Sequence, residues 1–170
     1  QYFLNNSAGD KFFDQWKKMR LEWYLDLGIK KENLRFRDHA KNELAHYAKK
    51  AVDIEYKFEF ADQEAFKELE GIHDRGDWDL SRHQKFSGQS MTVRDEAGKE
   101  FIPKIVETSG GVDRATLAFL MDAYTEIDGG RTTTTASTKE VEVVLKLDKR
   151  LAPIKIAVLP LSKKENLSQK

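Results

Sequence analysis

The chain has 170 residues, with 29 basic and 29 acidic side chains and zero formal net charge. That length suits a single domain, and the charge balance excludes a blanket nucleic-acid binder of pI above about 9. A hydrophobic content of 39% excludes a disordered chain, and the lack of cysteine excludes a disulfide scaffold, a cysteine zinc site and a thiol nucleophile. No stretch reads as a membrane span or a signal peptide.

Tyr2-Phe3-Leu4, after Gln1 rather than a methionine, reads as the end of a strand already under way. The first clear element is a helix from about Asp10 to Leu27. Its apolar stripe is Phe12, Trp16, Met19, Trp23 and Leu27, and Gly28 suits the position after its end. The spacing then predicts a second helix over Asp38–Lys50, with Asp38 as its N-cap and with His46 and Tyr47 on it as packing residues rather than ligands.

From Val52 to Phe60 the alternation is strict. Val52, Ile54, Tyr56, Phe58 and Phe60 share one face, and Asp53, Glu55, Lys57 and Glu59 the other. That pattern predicts a half-buried antiparallel strand. Ala61–Ala65 reads as a turn and Phe66–Ile72 as a short strand. A short helix is expected near Asp77–His83. Asp95-Glu-Ala-Gly98 predicts a hairpin between Met91–Arg94 and Glu100–Glu107.

Ser109-Gly110-Gly111 leads into an amphipathic helix, Val112 to about Glu126, with an apolar set of Val112, Ala115, Leu117, Phe119, Leu120, Ala123 and Tyr124. Asp128–Thr138 reads as a flexible linker, Val141–Leu147 as a strand, and Ile154–Leu161 as a buried strand. That last strand needs backbone partners that the chain does not obviously supply.

Two constellations can carry chemistry. At Glu107–Arg114, a strand turns into a helix through glycines. Glycines admit a close ligand approach, and the helix start offers free N–H groups to an anion. Arg114 can meet a phosphate or stack on a base. Glu107 and Ser109 can hold an ammonium group. The same turn also suits a purely structural role. The second constellation is Glu68-Leu69-Glu70. A period of two puts both carboxylates on one face, where they can hold Mg²⁺ or simply meet solvent. The four histidines, His39, His46, His73 and His83, show no metal-ligand spacing.

In order, these segments resemble glycyl-tRNA synthetase of the dimeric class II type. The resemblance is carried by Leu34-Arg-Phe-Arg-Asp-His39, Glu43-Leu-Ala-His-Tyr-Ala48, Val52-Asp-Ile-Glu-Tyr56 and Glu68-Leu-Glu-Gly-Ile72. It continues through Trp78-Asp-Leu80, Ile105-Val-Glu-Thr-Ser-Gly-Gly-Val-Asp-Arg114 and Leu151–Leu161. It implies an α+β fold, an antiparallel catalytic sheet flanked by helices. Residues 1–150 would be the later part of the catalytic domain, with motif 3 at 105–114 and a linker at 128–138. Residues 151–170 would open the anticodon-binding domain.

The implied activity joins glycine to ATP and then to tRNA(Gly), with Mg²⁺, in a cytoplasmic homodimer away from membranes. By the same resemblance, Glu68, Leu69, Gly111, Val112, Asp113 and Arg114 bind ATP. Glu107, Thr108, Ser109, Gly110 and Gly111 bind glycine. Glu68 lies near the metal, and Glu68 and Arg114 serve catalysis. Thr108 stands where the family commonly has proline. Motifs 1 and 2 of the family are not in the chain, so the chain is expected to have little or no activity alone. A synthetase-like module that binds RNA or a protein without catalysis is the alternative reading.

Overall fold

The computed structural model describes residues 1–5, 9–60, 63–128 and 141–159. At its centre are the strands β1 (Tyr2–Leu4), β2 (Leu34–Asp38), β3 (Lys50–Phe60), β4 (Gln63–Gly76) and β7 (Lys104–Gly110). They form a five-stranded antiparallel sheet in the order β1-β7-β4-β3-β2. Helices α1 (Gly9–Asp26) and α3 (Val112–Ala123) pack on one face. Helix α2 (Trp78–Ser87) follows β4.

The core lies between that face and the helices. Val52, Ile54, Tyr56, Phe58, Leu69, Ile72 and Val106 of the sheet meet Phe13 and Tyr24 of α1 and Ala118 of α3. The alternation seen in β3 is therefore real, although the side chain of Phe60 lies outside the described residues. Its second face is solvated only toward its end: Asp53 and Glu55 are buried, Lys57 is half-buried and Glu59 is exposed. Asp53 and Glu55 each face an arginine of β2 in register, Arg37 and Arg35, and Glu55 accepts from Arg35 at 2.6 Å.

Counting apolar residues places only part of each helix stripe: Phe12, Trp16, Ala115 and Phe119 pack against the core and Leu27 and Ala123 are buried. In α1, Met19 and Trp23 are exposed while Phe13 and Tyr24 are buried. Arg20 takes an inward position one turn before Tyr24 and shares its buried partner, Glu70. In α3, Val112, Leu117 and Leu120 are exposed while Asp122 is buried. Asp122 accepts from the Lys30 amide, Asn33 and the Tyr56 hydroxyl, tying the end of α3 to the approach to β2 and to β3.

No helix forms over 38–50. Asp38 ends β2, and the chain returns to β3 through a loop of turns. Arg37 and the Ala40 amide both reach Glu43, while His39 reaches Asp53 at 2.7 Å. These contacts draw the chain into turns that an antiparallel β2–β3 pair can accept. His46 and Tyr47 therefore sit on a loop, with His46 edge-on to Trp78 at 4.8 Å between ring centroids.

Strand β4 starts at Gln63, inside the expected turn, and residues 61–62 lie outside the described residues. The expected long hairpin arm divides in two. β5 (Val93–Arg94) pairs with β6 (Glu100–Phe101), and Pro103, which has no N–H to donate, separates β6 from β7. Helix α3 stops at Ala123, and β8 (Tyr124–Asp128) pairs with β9 (Val141–Leu145), a hairpin that the sequence pattern did not predict. The expected linker lies outside the described residues apart from Asp128. Residues 154–159 form no strand, and Ile154, Ile156, Val158 and Leu159 are exposed. None of the described strands pairs with them. Pro160 and Leu161 lie outside the described residues.

Candidate active site

The face of the sheet away from α1 and α3 carries polar groups in register. Directly paired residues project to the same side of a sheet. His73 pairs with Glu107, and Gly71 with both Ser109 and Asp53. Glu107, Ser109, His73 and Asp53 therefore share one face, floored by the bare backbone of Gly71. A Cβ on Gly71 would come within 2.8 Å of His73 Cε1, so only glycine leaves room for that ring.

Glu107 is held rather than free. Arg75 Nη1 donates to it at 2.8 Å and Gln1 Nε2 at 2.5 Å. Burial pushes the Glu107 carboxyl up, but these two donors outweigh it and hold it below the usual carboxylate range. Arg75 in turn grips Asp79 at the start of α2 and lies over the Tyr47 ring, 3.9 Å from its centroid. The buried His73 Nδ1 has no hydrogen-bond partner among the described residues, and burial lowers the imidazole pKa despite nearby Glu107 and Asp53.

Thr108 pairs with Ile72 and so faces the helices, opposite to Glu107 and Ser109. It lines a cavity of about 300 Å³ with Arg20, Trp23, Tyr24 and Glu70. Only its backbone is within reach of the Glu107–Ser109 face.

The glycine turn lies at the end of β7. Glu68, Leu69, Ser109, Gly110, Gly111, Val112, Asp113 and Arg114 line a cavity of about 400 Å³. Gly111 is the N-cap of α3 and gives no side-chain cap, which leaves the first helical N–H groups available to a ligand. Neither Gly110 nor Gly111 has a positive φ. A Cβ at Gly110 would lie 3.4 Å from Glu70 Cγ and from the Leu69 carbonyl oxygen, a contact rather than a clash. Arg114 donates to the Glu68 carbonyl at 2.7 Å, closing the turn onto β4.

The predicted carboxylate pair does not exist. A β-bulge interrupts β4: Glu70 pairs with Ile54, while Glu68 pairs with Glu55. Leu69 is the extra residue, and the bulge cancels the period of two. Glu68 stays exposed on the polar side. Glu70 is buried on the helix side, where Arg20 donates to it twice, at 2.6 and 2.9 Å, and Tyr24 at 2.8 Å. Among the described residues no three His, Asp or Glu side chains gather as a metal site. Glu68 alone suits a single contact to a cation that phosphate oxygens also hold.

Sequence reasoning missed Arg75, His73, Asp53 and Gln1. The Arg75–Asp79 spacing of four, just before α2, was the one available signal for Arg75. For Asp53 the signal was the alternation of arginines in β2 against acids in β3, visible only once the strands are paired.

Helices on one face of an antiparallel sheet and a polar opposite face, with a strand–glycine–helix turn at its rim, form the layout expected of part of a class II synthetase catalytic domain. No family model matches the chain. It is, however, similar over its whole length to curated glycine–tRNA ligases: 47% identical to that of Thermobifida fusca over 171 residues, all of this chain. It is 44% identical to that of Corynebacterium glutamicum and 42% to that of Borrelia hermsii, each over 99% of this chain. It spans 36% of the length of each of these three relatives. The chain is thus a relative of one stretch of the glycine–tRNA ligases. Among the described residues no helix is long and apolar enough to cross a membrane.

Proposed function

We propose that this chain is the motif 3 part of the catalytic domain of a glycine–tRNA ligase. The whole protein would activate glycine with ATP and pass it to tRNA(Gly), in the cytoplasm and as a homodimer. Residues 151–170 would open its anticodon-binding domain. The observation that carries the reading is the shared face of Glu107 and Ser109 beside the cavity at Gly110–Arg114. It sets an ammonium-sized acidic corner next to an anion-sized helix start.

In this reading Glu107 and Ser109 accept from the glycine ammonium, and the floor at Gly71 and the His73 ring limit the space for a side chain. The limit matters, because one methylene in an apolar pocket discriminates by only about 1–3 kcal/mol. The first N–H groups of α3 and Arg114 hold the nucleotide, with Glu68 and Leu69 on its other side. Mg²⁺, bound with the nucleotide and touched by Glu68, would offset phosphate charge. The glycine carboxylate attacks the α-phosphorus, the bond to pyrophosphate breaks, and glycyl-adenylate forms. A terminal tRNA hydroxyl then attacks the glycyl carbonyl and AMP leaves. These residues act by positioning and charge stabilisation, and no covalent enzyme intermediate is needed.

The test is replacement of the matching stretch of the Thermobifida fusca ligase by this chain. The chimaera is expected to catalyse glycine-dependent ATP–pyrophosphate exchange, and the same chimaera carrying Glu107→Ala is expected to lose it. A folded chimaera without exchange, or exchange indifferent to Glu107, would overturn the reading.

A further inference from the structure

Glu70 is a carboxylate that the proposed reaction does not use, and the fold spends three donor contacts on it. Arg20 meets it with a two-pronged pair and Tyr24 with its hydroxyl, both from α1. A buried carboxylate without such partners would be strongly unfavourable. The anchor lies within the bulge of β4, where Leu69 and Glu70 together oppose Ile54. It also lies under the glycine turn, with Glu70 Cγ 3.4 Å from where a Gly110 Cβ would stand. On the other side of the bulge, the Glu68 carbonyl receives Arg114 at 2.7 Å. The turn is thus gripped at both ends by one irregularity of β4, and α1 holds that irregularity in place.

We propose that Glu70, clamped by Arg20 and Tyr24, is a positioning residue that fixes Gly110–Arg114 for the nucleotide. The inference rests on the nucleotide-binding role proposed for that turn. Bulges re-aim side chains beside active sites, and here a charged pair from α1 clamps the residue next to the extra one. Tyr24→Phe removes one hydroxyl, Arg20→Gln the charge, and Glu70→Gln the carboxylate.

The experiment is amide hydrogen exchange by NMR on the full chain, with and without Mg·ATP. The variants are expected to speed exchange at Gly110–Arg114 about tenfold while leaving Val52 and Phe58, away from the bulge, at their wild-type rates. The Mg·ATP concentration needed to shift the Gly110 and Gly111 signals is expected to rise about tenfold. Equal acceleration throughout the sheet, or none at the turn, would overturn the inference. Should Glu70→Gln fail to fold, Tyr24→Phe decides, since it leaves the charged pair intact. A wild-type chain indifferent to Mg·ATP would sink the nucleotide reading, while the exchange rates would still decide whether Glu70 positions the turn.

Discussion

Arg75 joins Glu107 to Asp79, donating to the first at 2.8 Å and to the second at 2.7 and 3.0 Å. The ammonium-binding candidate on β7 is therefore aimed by the first turn of α2. Asp79 sits below its ordinary pKa because Arg75 hydrogen-bonds to it, and Arg75 is raised in turn, first by that same bond. The three groups stay charged through the neutral range.

Arg75→Gln should release Glu107 and move its carboxyl up toward the ordinary range. In the chimaeric ligase, the glycine KM should rise about tenfold or more, the scale of one lost charged hydrogen bond. The ATP KM should change little. Steady-state exchange kinetics with each substrate varied in turn will check the split.

Arg114→Ala should act on the other substrate. Loss of one preorganised donor at a reacting phosphate lowers kcat by about 10²–10³-fold. Arg114→Lys should recover only part of this, because a lysine ammonium lacks the fork that reaches both a phosphate and the Glu68 carbonyl. Exchange rates at saturating glycine will measure both variants.

Asp122→Ala should destabilise the chain by about 3 kcal/mol, because it strips the Lys30 amide, Asn33 and Tyr56 of one buried acceptor. Urea unfolding followed by far-ultraviolet circular dichroism will show the midpoint shift. The site face, on the other side of the sheet, should keep its local structure up to the transition.

His73 should make stability fall in acid. Burial lowers its pKa in the folded chain, so the unfolded chain binds the proton more readily. Its contribution is complete above the unfolded value of about 6.5 and declines as the pH drops below it. Glu107 and Asp53 oppose the lowering, while His39 and Arg75 reinforce it. NMR titration of the His73 ring should give a midpoint below 6.5, and His73→Gln should flatten the stability profile between pH 6.5 and its folded midpoint.

Much of the fold was legible because regular periodicity marks regular elements. Helix α1, strands β3 and β9, the tight turn at Gly98 and the start of α3 all follow from pattern and turn chemistry. The errors share one physical cause. Arg20, Glu70 and Asp122 lie against the core, and a count of apolar residues assigns such positions to solvent. A charge belongs inside only when its partner arrives from elsewhere in the chain: Arg20 and Glu70 are 50 positions apart, and Tyr56 and Asp122 are 66. The helix expected over 38–50 fails in the same way, since the contacts from His39 to Asp53 and from Arg37 to Glu43 depend on β2 and β3 already being paired. At the candidate site, the strand–glycine–helix order singles out Glu107, Ser109, Gly110 and Arg114. It does not single out Arg75 and His73, because nothing along the chain tells which residue of β4 lies across from Glu107.

The extra residue at Leu69 also bears on how this strand can change. Removing it would restore a regular ladder without changing either face: Glu70 would still lie opposite Ile54 and Glu68 opposite Glu55. What a single-codon deletion would take away is a fully buried leucine of the core, together with the local kink that the extra residue gives the strand between Glu68 and Glu70. The two carboxylates are thus assigned to opposite faces by their partners on β3, and the insertion serves packing and strand shape.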